Sequence, residues 1–363
     1  MDKKIASLVF QILLLPLCSC NSVNESDFFA FDVEDFNDIP AEPLHLDVRE
    51  CSADLFTAAI NGRFIYSYES SKEWLFTLTD IDTDGVMYKF GCRGRGPDEF
   101  IDVFPLQDFF VENGETKTIL FSYNDARLLT WNISRSLVAG NDVYENRLHL
   151  GDSTEFLPFG SLHLLDKDRL LALDTKQNPR VDEMLAPPVY VIYDLNICNI
   201  SRTYELFRNP GVQSKGRYYT SKSFLGMNDC IKPDKTKIAM SMYYFPQINI
   251  LDLNTGVCKG FRIKGEKKFS SGQQICRFGP LVSDDKYIYA LYCGKEVDYS
   301  DYDVSADILY IFDWDGDLIR KFRLDVPVHM LRINEADNRL YFYHQARPYL
   351  YTIDLDYLSG LMM

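Results

Sequence analysis

The chain lacks any apolar run approaching the ~20 residues that a membrane-spanning helix requires, although it is 363 residues long. It is poor in histidine. The five copies, His45, His149, His163, His329 and His344, are dispersed, and none falls in an H-E-x-x-H spacing or another metal-spaced pair. The nine cysteines include no C-x-x-C, which excludes a zinc knuckle and a thioredoxin-like redox motif. No G-x-S-x-G nucleophile elbow, P-loop or S-x-D-x-G-x-x-W sialidase box is present. Positive charge is also short. Thirty-eight Lys and Arg stand against 53 Asp and Glu, a net charge of −15. A surface of that sign repels nucleic acid phosphates and gives no general attraction to anionic lipid.

The N-terminus carries an address. Lys3 and Lys4 precede an apolar stretch, Ile5 to Leu17, of signal-peptide length. It ends in Leu17-Cys18-Ser19-Cys20, which resembles the bacterial lipobox and implies that Cys20 is acylated and becomes the mature N-terminus. Residues 1–19 are thus expected to be a lipoprotein signal peptide and residues 20–40 a polar, acidic tether. The implied location is the outer membrane, facing the periplasm or the cell surface, with the lipid as the sole membrane contact. Seven cysteines remain after Cys20, an odd number, and are expected as buried free thiols.

What is abundant is β-forming sequence. Aromatics make up 14% of the chain, with 23 Tyr and 25 Phe, many in strand-like runs. A unit of one short apolar segment, a Gly- or Asp-marked turn and further strand-like runs recurs six times. The units begin near Cys51, Pro105, Pro158, Lys222, Gln274 and Val328, with spacings of about 52–64 residues. Four strands per unit at that period predict an all-β fold, a six-bladed β-propeller over residues 41–363 with four antiparallel strands per blade.

The fourth unit reads most clearly, with strands over Lys222–Ile231, Thr236–Met242, Pro246–Asp252 and Val257–Ile263. The sixth ends without an outermost strand. Leu44 to Val48 alternates apolar and polar and is expected to supply it, closing the ring from the N-terminus.

Gly91-Cys92-Arg93-Gly94-Arg95-Gly96-Pro97-Asp98-Glu99-Phe100, followed by Pro105, falls between blades one and two. It resembles the glycine-rich connector of NHL-repeat propellers, in a form typical of six-bladed TolB-like propeller lipoproteins of Bacteroidetes. The resemblance implies an exported, non-catalytic propeller. On its own physics the loop needs glycines for tight backbone turns. Phe100 is expected to plug between blades, and Glu99 to hold backbone N–H groups or Arg93 or Arg95, while Arg93, Arg95 and Glu99 also stand as candidate ligand contacts of the loop face.

Asp80-Ile81-Asp82-Thr83-Asp84-Gly85 matches the start of an EF-hand loop, but Gly91 stands where the bidentate Glu is required. An outer hairpin turn fits better. A weak calcium site is compatible with it, and no other cofactor is implied. His163, Arg277, His329 and Arg332 fall on predicted innermost strands and are channel candidates. The long connectors carry Arg217, Tyr218, Tyr219, Tyr243, Tyr244, Tyr299, Tyr302 and Asp303. Tyr rings stack on sugars or apolar side chains at small entropic cost, and loops on a rigid ring are where binding concentrates.

The expected function is a non-catalytic binding module for an envelope protein or a glycan-like ligand. The alternative is a propeller hydrolase, lactonase or lyase holding calcium in the channel.

Overall fold

The computed structural model describes residues 28–362 apart from 56–57, 70–72, 104–107, 123–124, 151–156, 158, 176, 179–182, 185, 209–210, 215–216, 221–226, 244, 267–274, 297–303 and 346. Residues 1–19 and Cys20 lie outside it.

Three short strands come first: β1 (Asp32–Phe36), β2 (Glu42–Leu44) and β3 (Asp47–Glu50). Blade one is β4 (Ala58–Asn61), β5 (Phe64–Tyr68), β6 (Trp74–Asp80) and β7 (Val86–Cys92). Blade two is β8 (Phe109–Glu112), β9 (Glu115–Ser122), β10 (Arg127–Asn132) and, after helix α1 (Ile133–Ala139), β11 (Tyr144–His149). Blade three is β12 (Phe159–Asp166), β13 (Arg169–Asp174), then a small hairpin β14 (Gln177–Asn178) and β15 (Glu183–Met184), then β16 (Val189–Asp194) and β17 (Asn199–Tyr204). A second hairpin, β18 (Gly211–Ser214) and β19 (Arg217–Thr220), leads to blade four. That blade is β20 (Met227–Ile231), β21 (Lys237–Met242), β22 (Gln247–Asp252) and β23 (Cys258–Ile263). Blade five is β24 (Ile275–Ser283), β25 (Tyr287–Glu296), β26 (Ala306–Asp313) and β27 (Leu318–Val328). Blade six has β28 (Met330–Asn334), β29 (Arg339–Tyr343), β30 (Tyr349–Asp354) and the terminal helix α2 (Leu355–Met362).

The architecture is the expected all-β, six-bladed propeller of four antiparallel strands per blade. Its core is distributed. Each of six apolar clusters joins two neighbouring blades, and the cluster between blades six and one holds Ile60, Ile65, Tyr343 and Leu350. This explains why the middle strands read as unbroken apolar runs. Ile288-Tyr289-Ala290-Leu291 on β25 is buried on both faces, one against blade four and the other against blade six.

The N-terminal strand closes the ring as expected, with a shifted boundary. β3 pairs antiparallel with β30, Asp47 opposite Thr352 and Glu50 opposite Tyr349, and becomes the outer strand of blade six. The closing strand is therefore 47–50, not 44–48. Leu44 and Leu46 are instead anchors, 3% and 2% exposed in the cluster between blades five and six. The span expected as a tether, 20–40, likewise contains a strand, β1. β1 runs parallel to β23 and β2 parallel to β27, each as a fifth strand on the outer edge of a blade. An uncovered outer strand presents a row of free N–H and C=O groups, so this belt protects two edges. Phe28 and Phe29, which read as part of a polar tether, bury against Phe207 and Phe245. Among the described residues the innermost strand of blade four is Met227–Ile231, and its expected start at Lys222 lies outside them.

One repeat element escaped the spacing argument. The third strand of every blade ends in Asp or Asn: Asp80, Asn132, Asp194, Asp252, Asp313 and Asp354. Each side chain accepts a backbone N–H from two to four residues on. Each is followed by a buried apolar residue, Ile81, Ile133, Leu195, Leu253, Trp314 or Leu355. The EF-hand-like segment is the first of these turns. The Asp80 carboxylate accepts from Asp82 N (2.9 Å), Thr83 N (3.0 Å) and Arg63 Nε (2.5 Å), as a hairpin turn requires.

Candidate functional site

Strands within a blade alternate in direction. The connections from second to third strand and from blade to blade therefore emerge at one end of the ring, and the tight turns at the other. The connector end carries the β14–β15 hairpin of blade three and the β18–β19 hairpin between blades three and four. Arg217, Tyr218 and Tyr219 lie on β19, opposite Ser214, Gln213 and Val212. The N-terminal segment enters at the same end. Phe28 O accepts from Arg208 N (2.7 Å), Ala30 N donates to Leu206 O (2.9 Å), and Phe245 lies in the connection between β21 and β22. Tyr244, Tyr299, Tyr302 and Asp303 lie outside the described residues. Tyr243 is partly buried, and its carbonyl accepts from Arg277 N (2.7 Å).

Of the channel candidates, His163 is the most perturbed. It sits on β12 between two carboxylates from neighbouring blades. Its Nε2 lies 3.0 Å from Asp229 Oδ1 on β20, and its Nδ1 lies 3.4 Å from Asp108 Oδ1, just before β8. Asp229 also accepts from Tyr190 OH (2.6 Å) and from Ser161 Oγ, and Asp108 accepts from Leu164 N (3.1 Å). The imidazole is 5% exposed, Asp229 4% and Asp108 17%. Burial pushes the His163 pKa down, but the facing Asp108 and Asp229 carboxylates more than offset this and raise it to about 10. Burial likewise disfavours both carboxylates, and His163 nevertheless holds each below its ordinary value.

This is an imidazolium clamped between blades two and four, and three blades are tied through it. It does not form a nucleophile–base pair. Ser161 Oγ donates its hydrogen bond to Asp229, and the raised pKa of His163 favours the imidazolium, the form that does not accept a proton. The cation position between the two carboxylates is filled by the histidine itself. Among the described residues no group of three His, Cys, Asp or Glu is arranged to hold a metal.

The other channel candidates bond or stack on nearby residues of the ring. Arg277 is buried and bonds Glu266 (2.5 Å) and Tyr292 OH (3.2 Å). Arg332 donates from Nε to Ala58 O (3.2 Å), fastening blade six to blade one. His329, between β27 and β28, stacks edge-on against His344, the ring centres 4.2 Å apart.

The Gly91–Phe100 connector is a plug. Phe100 is 1% exposed, edge-on to Tyr144 and beneath the Arg127 guanidinium, which also donates to Pro97 O and Glu99 O. Glu99 accepts from Gly96 N at 2.7 Å, while Arg93 and Arg95 remain exposed. A Cβ on Gly94 would lie 1.9 Å from Glu99 Oε2. Gly94→Ala is therefore expected to displace Glu99 and cost about 1–3 kcal/mol in urea unfolding. An unchanged midpoint would show that Glu99 moves aside freely.

Sequence reasoning missed Asp108, Asp229, Tyr190 and Ser161. A signal existed in the inner strand of blade four, where Asn228 and Asp229 set two polar side chains ahead of the buried Cys230 and Ile231.

The chain thus belongs, by architecture, to the six-bladed β-propellers. No family model matches it, and no curated protein does. Among solved structures it is similar to a member of the DUF4221 family from Bacteroides vulgatus, at 10% identity and a TM-score of 0.50, covering 87% of this chain and 96% of that one. It is also similar to a protein of Bacteroides fragilis assigned as exported, at 13% identity and a TM-score of 0.47, covering 91% and 95%. Hydrazine synthase of Kuenenia stuttgartiensis aligns at 12% identity and a TM-score of 0.43, covering 90% and 80%. At these identities the likeness concerns the fold.

Proposed function

We propose that this protein is an exported, lipid-anchored propeller of the cell envelope that binds a protein partner through its connector face. The observation that carries the reading is the elaboration of one rim. Blades three and four bear the β14–β15 and β18–β19 hairpins, and Arg217-Tyr218-Tyr219 fall on the second strand of the latter. Recognition is what loops above a rigid ring commonly serve. The Asp108–His163–Asp229 cluster supports the same side of the question, because its charges are satisfied internally.

The entry point of the chain sets the kind of partner. With Cys20 acylated, eight residue-to-residue steps lead from the lipid to Phe28, a reach of at most about 28 Å. Phe28 is fixed at the connector end, so that face would be held toward the bilayer. A partner embedded in or bound to the same membrane fits this arrangement better than a freely diffusing ligand.

The test replaces Arg217, Tyr218 and Tyr219 by Ala in the full-length lipoprotein, followed by crosslinking in intact cells and recovery of adducts. At least a tenfold loss of adducts, with thermal unfolding unchanged, is expected. Undiminished adducts would place recognition elsewhere.

A further inference from the structure

Five of the seven cysteines of the body stand apart from one another. Cys51, Cys230 and Cys258 belong to three different interblade clusters, and Cys92 and Cys198 are partly exposed rather than buried as expected. Cys276 and Cys293 are different. Both lie in the single cluster between blades five and six, 1% and 7% exposed. Their strands, β24 and β25, are antiparallel neighbours, with Cys276 level with Lys295. A register shift between Cys276 and Phe278, with Gly294 at φ 66°, carries Cys293 back alongside Cys276. The two thiols are in direct contact. Cys276 donates a hydrogen bond to the Cys293 sulfur, which also accepts from the Lys295 N–H, and Tyr243 donates to Cys276.

We propose that Cys276 and Cys293 are joined as a disulfide in the mature protein, an inference that rests on the exported reading for its oxidising surroundings. The hydrogen bond from Cys276 and the Lys295 N–H favour the thiolate of Cys293, which makes it the attacking sulfur. Cys293 attacks the disulfide of a thiol–disulfide oxidoreductase, forming a mixed disulfide and releasing one thiolate of that oxidant. Cys276 then loses its proton and attacks the Cys293 sulfur, and the oxidant leaves as a dithiol. Two protein thiols are oxidised, and the two electrons reduce the oxidant's disulfide. Both sulfurs are buried in the finished ring, so the exchange takes place before blade five closes on blade six. The bond pins β24 to β25 near the end of β25.

The test has two arms. Full-length protein is recovered from the envelope fraction, acid-quenched, unfolded and alkylated with and without reductant, and its peptides are weighed. The same chain is then refolded from urea in a glutathione redox buffer. Cys276 and Cys293 are expected to resist alkylation until reduced, in a linked peptide two hydrogens lighter than the dithiol. Reduction should lower the melting temperature by several degrees in wild type and leave a C276S/C293S variant unmoved. Free alkylation of both cysteines in the refolded chain overturns the proposal. Fractionation reads export separately: a chain absent from the envelope would defeat the exported reading, while the refolding arm still decides the cysteine pair.

Discussion

Deleting residues 1–51 from a non-acylated version of the chain is expected to abolish cooperative unfolding. The deletion removes β3, and with it the outer strand of blade six and the hydrogen bonds to β30. It also removes Leu44 and Leu46 from the cluster between blades five and six, and Cys51 from the one between blades six and one. A ring whose core is divided among six interfaces has no central mass to hold it when one opens. Deleting only residues 1–40 should be milder. It takes away β1, two buried Phe side chains worth about 1.5–3 kcal/mol each, and the Asp35 carboxylate that faces Arg262 at 2.6 Å. That variant should still melt cooperatively, at lower urea. Near-ultraviolet circular dichroism during urea titration separates the cases, and a native spectrum from the 1–51 deletion would refute the closure argument.

His163→Leu is expected to cost about 3–5 kcal/mol, because it leaves Asp108 and Asp229 as buried charges without their cation. The pH dependence gives a sharper signature. In the unfolded chain the histidine releases its proton near its ordinary value of 6.5, whereas the folded protein holds it to about 10. Its contribution is therefore complete below pH 6.5 and is lost as pH rises toward 10. Asp108 and Asp229 act in the opposite sense. Held below their ordinary value of 3.8, they contribute above that pH and lose their contribution as the medium becomes more acidic. Wild type should thus lose stability between pH 6.5 and 10 along a slope that His163→Leu lacks. Melting temperatures collected across that range decide it, and parallel curves for the two proteins would show that the imidazole is neutral in the fold.

The architecture was legible because a propeller repeats. Fifty-odd-residue periodicity, Asp- and Gly-marked turns and unbroken apolar middle strands each reported the same blade, and the strands of blade four fell within a few residues of their expected bounds. The six Asp or Asn residues that end each third strand were also present to be read, yet they are spaced unevenly. Blade two follows its Asn132 with helix α1 instead of a tight turn, which blurs the period. The site was less legible. His163 could be placed on an inner strand, but Asp108 and Asp229 come from blades on either side of it. No local pattern tells which residues of adjacent units meet across an interface. Arg277 and Arg332 pose the same difficulty, since an arginine on an inner strand can bond its neighbours as readily as face the channel, and the sequence leaves both readings open. Phe28 and Phe29 show the limit from another side: a polar segment with scattered aromatics looks like a tether until the surface that receives the aromatics is known.

The N-terminal belt also sets a clock. Strands β1, β2 and β3 are made first, yet they pair with β23, β27 and β30, near the end of the chain, and Asp35 waits 227 residues for Arg262. Contacts so distant in sequence close late, because the loop entropy must be met before the pairing returns anything. Delivered N-terminus first, the chain would complete blades one to three while its own closing strands stood unpaired, holding exposed strand edges until the last blade arrived. Such an interval is when a β-rich chain is most prone to pair with a neighbour. The acidic groups on the belt, Asp32, Glu34, Asp35, Glu42, Asp47 and Glu50, give each waiting strand a repulsive charge for that interval.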